Sequence, residues 1–295
     1  MISNLTKWVS KTMSKKKDLR DIVLSVQDLP TLPIVVSRAM SIIANGSSSS
    51  RELAELISHD QTLTSRMLRI VNSALYGFPR KISTVNDAIV ILGFRSVRAI
   101  AMAASVIKLF PQNGNSRFNH KRFWFHSTGV GICSQLLSKE LGIGDDAEIF
   151  TAGILHDIGK LIIDQFSHEE FQGIIHLMEL EKINFLDSEK KFIRTSHAEL
   201  GGMLCEAWSL PKNLVQSISS HHIPEKISDK GTAIAYLANY ICNVKNLTCF
   251  ENGMKLDYDS AIVNKLGIDE NVIDNIFDKF DDSIYRRALE FVEII

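Results

Sequence analysis

The stretch GILHDIGK, residues 153–160, sets His156 beside Asp157 inside an apolar run of helical character. An imidazole and a carboxylate placed together in such a run are costly to bury unless something compensates them, and a divalent cation is the simplest compensation. The surrounding sequence is helical in the same way. Apolar residues recur at helical spacing through Leu53, Leu56 and Ile57, then through Leu63, Met67, Ile70 and Val71, and no convincing strand pattern occurs. Ser49 with Glu52 and Thr84 with Asp87 have the spacing of capping boxes. The reading is an all-α protein.

Outward from this stretch, Gly46 to Ser50 and Pro111 to Ser116 interrupt the pattern. The second separates a multi-helix module (18–115) from a histidine-rich helical domain (116–250); a basic segment (1–17) comes before them, and in the C-terminal part (251–295) residues 258–295 read as two acidic helices around Gly267 to Asp269. With 45% apolar and 23% charged residues, 16 Gly and 6 Pro, the composition excludes disorder and a fibrous repeat. At 295 residues the chain can bury a core without disulfides or structural metal, so a metal here would serve function. The longest apolar runs, Ala88–Leu92 and Ala99–Val106, fall far short of the roughly 18 residues that cross a bilayer. The start, MISNLTKWVSKTMSKKK, does not read as a secretory signal. Cys133, Cys205, Cys242 and Cys249 form no C-x-x-C pair, which points to a reducing compartment, and a cytoplasmic location is expected.

Charge drifts along the chain: 15 Lys+Arg against 7 Asp+Glu over 1–115, 13 against 16 over 116–250, and 5 against 11 over 251–295. The basic first third carries no interleaved aromatic residues and reads as a solvated surface, so no DNA binding is expected. Residues 1–16 could form a short helix with Ile2, Leu5, Trp8 and Val9 on one side and lysines opposite; docking on the protein's own body, or simple fraying, is preferred over membrane contact.

Further histidines stand in comparable settings: His126 in FWFHS, His197 in SHAELGG, and His221 with His222 in SSHHIPE. Neutral imidazoles with one carboxylate suit Zn²⁺, Fe, Mn²⁺ or Ni²⁺ rather than an all-oxygen Ca²⁺ site. Singly, each is an ordinary hydrogen-bonded core histidine. Together with the His-Asp pair they form a candidate ligand set.

The order His126, His156-Asp157 with Gly159-Lys160, His197, and His221-His222 resembles the HD superfamily of metal-dependent phosphohydrolases, all-helical proteins in which these positions hold one or two metal ions. LPTLP at 29–33, LRIVNSALYG at 68–77, AIVILGFRSVR at 88–98 and WSLP at 208–211 are similar to the HDOD (HD-related output domain) family, over roughly residues 20–245. The resemblance implies an N-terminal helical module packed against an HD-like bundle. It implies a divalent metal (Fe, Mn, Zn or Ni) on His126, His156, Asp157, His197, His221 and His222, with Lys160 as a phosphate contact unless that lysine is merely an exposed one. It also implies a role in bacterial signal transduction, with signalling proteins or a nucleotide as partners. Three departures qualify it. Asn239 occupies the place where HD enzymes close the site with an Asp on a late helix. Arg122 stands where the bimetallic HD-GYP relatives carry a Glu, and IPEKISDKG replaces their Gly-Tyr-Pro segment. Cyclic-di-GMP hydrolysis of that kind is disfavoured, and a regulatory metal-binding protein with little or no turnover is expected. A phosphohydrolase acting on a nucleotide or phosphomonoester, and a metal-free interaction scaffold, are the alternatives.

Overall fold

The structure, a computed structural model, describes residues 30–39 apart from 35, and residues 50–111, 118–144, 146–250, 259–280 and 282–294. The helix read at residues 1–16 and the Ser49 half of one capping pair lie outside the described residues. These hold fifteen α-helices and no strand.

After the helical residues 34 and 36–39, four helices follow: α1 (Ser50–Ser58), α2 (Gln61–Val71), α3 (Val85–Leu92) and α4 (Phe94–Leu109). They pack on one another through the apolar stripes visible in the sequence, Leu53 and Ile57 from α1, and Leu63, Met67, Ile70 and Val71 from α2. Asp60 caps α2 by accepting from the Leu63 amide at 2.9 Å. Thr84 caps α3 by accepting from the Asp87 amide, and its hydroxyl donates to the Asp87 carboxylate at 2.7 Å, so the return bond runs between side chains. Asn72 ties the end of α2 to the approach of α3. Its amide donates to Leu68 O and Ile82 O, and its Oδ1 accepts from the Ile82 amide.

A second group of helices forms around α5 (His120–Glu140), which contacts α6 (Asp146–Leu155), α12 (Lys230–Val244) and α15 (Asp282–Ile294). Trp124 is buried near the start of α5, edge-on to Phe123 with centroids 4.8 Å apart. Between α6 and α12 run α7 (Ile158–Phe166), α8 (His168–Glu181), α9 (Phe185–Phe192), α10 (His197–Ala207) and α11 (Lys212–Ser220). The two groups meet where α4 packs on α6. They are joined again by α15, which touches both α5 and α2; Phe291 is fully buried and Glu290 accepts from the Ala74 amide at 2.9 Å.

Two expectations need correction. The run around His156-Asp157 is not one helix: α6 ends at Leu155, His156 and Asp157 form a turn, and α7 starts at Ile158. Asp157 precedes α7 without capping it, because its carboxylate is turned toward the histidines. The acidic C-terminal part contains three helices rather than two, α13 (Ser260–Leu266), α14 (Glu270–Lys279) and α15. Asp269 caps α14 as a new start, and the buried Phe280 leaves helical geometry before α15 begins.

Two glycines allow the close approaches on which the site depends. A Cβ at Gly153 would lie 2.6 Å from Gly131 Cα, so α5 and α6 cross backbone to backbone. A Cβ at Gly159 would lie 2.0 Å from the carbonyl oxygen of His197, which fixes α7 against the start of α10. No helix among the described residues is long and apolar enough to cross a membrane.

Candidate metal centre

The six residues singled out in the sequence come from separate elements and converge. His126 projects from α5, His156 and Asp157 from the turn between α6 and α7, His197 from the first turn of α10, and His221 and His222 from the end of α11. All but the partly exposed His222 are buried. Their ligand atoms form two groups, each with every atom within 4.8 Å of the others: His126, His156 and Asp157, and Asp157, His197, His221 and His222. Asp157 belongs to both.

Hydrogen bonds determine which ring nitrogens face inward. His126 Nδ1 lies 2.5 Å from Leu247 O, His156 Nδ1 2.7 Å from Gly153 O, and His221 Nδ1 2.7 Å from Ile218 O. A carbonyl oxygen only accepts, so each Nδ1 carries the hydrogen, and in the neutral ring each Nε2 presents a lone pair. These lone pairs point at Asp157, at 3.5 Å, 3.3 Å and 3.6 Å respectively. Burial pushes His126 down to about 3 and His221 down to about 4, so the contacts of these two rings are not ion pairs. Burial, with the neighbouring His221 and His197, also lowers His222. His156 Nε2, Asp157 Oδ1 and His221 Nε2 are buried without a hydrogen-bond partner. Acceptor atoms converging without donors are what a cation would satisfy, and the donor set fits a divalent transition ion.

His197 is held differently. Its Nδ1 donates to Glu189 Oε2 at 2.6 Å and its backbone amide donates to Glu189 Oε1 at 3.0 Å, while Nε2 lies 3.1 Å from Asp157 Oδ1 and 3.0 Å from His222 Nε2. Burial alone would lower its pKa, but Glu189 and Asp157 outweigh burial and raise it. Glu189, on α9, is fully buried. Nothing in the sequence reading pointed to it, since it stands in SEKKF, which reads as a charged outer face.

Lys160 is neither exposed nor unpartnered. Its Nζ lies 2.6 Å from Asp157 Oδ2 and sits over the rings of Phe185 and Phe250, with centroids at 5.3 Å and 5.8 Å. Burial opposes both charges. Even so, the pairing keeps Lys160 above its usual value, and His156 and Lys160 hold Asp157 well below the carboxylate range. Cys249, also unanticipated, donates its thiol to Asp157 Oδ2 at 3.4 Å, and burial raises the pKa of that thiol. Arg122 donates to Thr248 O at 2.9 Å, which steadies the segment whose Leu247 carbonyl orients His126.

A cavity opens beside the cluster. His126, Lys160, His197 and His222 form its floor, and Phe185, Phe250, Asn184, Asn239 and Asn243 are among its walls. Asn239 Oδ1 accepts from Asn243 Nδ2 at 2.7 Å. Arg194 does not face this cavity; it lines a separate groove with Lys190 and Lys226.

Known proteins agree with this architecture. Residues 29–224 match the family model of the HDOD domain. The crystal structure of an HDOD domain protein of unknown function from Geobacter sulfurreducens aligns with a TM-score of 0.80 and 30% identity, over 94% of this chain and 97% of that one. A Shewanella amazonensis SB2B protein, provisionally described as a phosphohydrolase, aligns with a TM-score of 0.73 and 25% identity, over 92% and 97% of the two chains. A curated relative from Treponema pallidum (strain Nichols), uncharacterised, is 24% identical over 202 residues. That match takes in 67% of this chain but 38% of the relative, so the chain spans little more than a third of that protein. With most of its length matched by the domain model and its helices laid out as in these structures, the chain belongs to the HDOD family.

Proposed function

We propose that this chain is a regulatory, signal-transducing HDOD protein that holds a divalent metal ion with little or no turnover. His126, His156, Asp157, His197, His221 and His222 are the ligands in this reading, and Fe, Mn, Zn and Ni are the candidate metals. The observation that carries it is the convergence of three lone pairs, each fixed by an Nδ1–H to carbonyl bond, on one buried carboxylate. In related chemistry a bound divalent ion supplies Lewis acidity toward a phosphoryl group. The chain's own residues favour retention of the ion over catalysis. Among the described residues Asp157 is the only carboxylate in the candidate ligand groups, Lys160 is already paired with it, and the nearby cavity wall offers the neutral amide of Asn239. The partners in this reading are signalling proteins or a nucleotide ligand.

One observation favours hydrolysis of a nucleotide or phosphomonoester as a second reading. Lys160 lines a cavity contiguous with the cluster, where its ammonium could meet a phosphate if Asp157 released it to bind metal.

The experiment is the metal content of protein purified without a metal-binding tag, beside the His156→Ala/Asp157→Ala double variant. Near-stoichiometric metal, lost in the variant, is expected. No metal after reconstitution with Mn²⁺, Fe²⁺, Ni²⁺ or Zn²⁺ would overturn both metal readings and leave the scaffold. Phosphate release by the loaded protein, abolished in the variant, would favour the second reading over the first.

A further inference from the structure

The cluster is short of negative charge. Asp157 is the one carboxylate among the described residues that shares a candidate ligand group with the imidazoles, and Lys160 already neutralises it at 2.6 Å. A divalent cation added to that pair would leave two positive charges uncompensated among buried side chains, which is costly. Cys249 does not remedy this, because its thiol is a donor to Asp157 and so keeps its proton. Asn239 lines the same cavity and is neutral.

Glu189 has the charge and the position. Its side chain is 0% exposed, and both oxygens are committed to one residue: Oε1 accepts from the His197 backbone amide at 3.0 Å, and Oε2 accepts from His197 Nδ1 at 2.6 Å. The backbone bond prevents the carboxylate from turning away. The short side-chain bond draws the Nδ1 hydrogen toward Glu189 and leaves the ring electron-rich at Nε2, the atom that faces Asp157 and His222. We infer that Glu189, acting through the His197 ring, supplies the negative charge the cluster needs to hold a divalent ion. It is a positioning residue and not a ligand. The inference rests on the metal reading above.

The test is the affinity of the full-length chain for Zn²⁺ and Co²⁺, measured by competition with a chromophoric chelator. Glu189→Gln keeps an oxygen able to accept from Nδ1 and removes the charge. Affinity is expected to fall about 10–100-fold, with the helical circular dichroism unchanged. The visible bands of bound Co²⁺ are expected to keep their positions, since no ligand is lost; a structural collapse of the site would move them. Adding Asn239→Asp to Glu189→Gln puts a carboxylate back at the cavity wall and is expected to recover most of the affinity. Unchanged affinity in Glu189→Gln, or a loss that Asn239→Asp fails to repair, overturns the inference while leaving the metal site standing. If Glu189→Gln does not fold, Asn239→Asp alone decides, with tighter binding expected and unchanged or weaker binding against it. A parent chain that takes up neither ion overturns the metal reading itself, and the inference with it.

Discussion

Asp157 and Lys160 cannot be altered one at a time without leaving a buried charge alone. In the metal-free chain Asp157→Asn should lower unfolding stability by about 3–5 kcal/mol, because the Lys160 ammonium loses its counter-charge. Adding Lys160→Met should restore most of it, and urea denaturation of the two variants checks this. Acid should act through the histidines. His126 at about 3 and His221 at about 4 lie below the usual 6.5, so between these values the unfolded chain takes up protons that the folded chain refuses. Stability then falls as the pH drops from about 6.5 toward 4. His197 has the opposite sign, since its raised pKa adds stability that is lost only as the pH rises, but it is outnumbered. The urea midpoint of metal-free protein should be lower at pH 5 than at pH 7.5, with a smaller difference in His126→Gln. An unchanged midpoint would contradict this account. His126 in FWFHS and the His156-Asp157 pair stood out in the sequence because ionisable residues inside apolar stretches are anomalous there, whereas His197, His221 and His222, in polar surroundings, were drawn in by the order of motifs. Glu189 and Cys249 were not, because neither a glutamate among lysines nor an unpaired cysteine signals burial until the chain has folded around it.

At the level of the elements, the spacing of apolar residues was enough to mark the helices through Leu53–Ile57 and Leu63–Val71, and the Thr84–Asp87 pair marked a helix start, whereas the three C-terminal helices were read as two. The turn at His156-Asp157 escaped it. Apolar residues flank the break on both sides, Ile154 and Leu155 before it and Ile158 after it, and no proline or glycine stands at His156-Asp157 to announce the end of α6. Gly159 shows how tightly the elements are set. Gly159→Ala would drive a methyl into the His197 carbonyl, and backbone cannot step aside as a flexible side chain can. The expected cost is about 1–3 kcal/mol of stability, with weaker metal uptake because the start of α10 must shift. Thermal denaturation and metal analysis of this variant read both effects, and normal metal content would show that His197 tolerates the shift.

For the molecule as a whole, the all-α class could be read from periodicity, and the pairing of an N-terminal helical module with an HD-like bundle came from the family resemblance that the motifs carry. The role of α15 could not. Its contact with Ala74 joins residues 216 positions apart, and no local pattern announces such a partner. Because α15 lies on both α5 and α2, Phe291→Ala should destabilise the two groups of helices together, by about 3–5 kcal/mol. Calorimetry should show a single transition moved to lower temperature. Two separated transitions would mean that α15 does not couple them.

Trp124, buried on α5 two residues before His126, gives the molecule an optical readout of its own. An ion with a partly filled d shell seated on His126 would drain the excited indole by energy transfer, whereas filled-shell Zn²⁺ would leave it bright. Ultraviolet emission of unlabelled protein would then distinguish Zn²⁺ from Co²⁺ or Ni²⁺ as each is titrated in, and a Trp124→Phe variant, which leaves Trp8 and Trp208, would shrink that response.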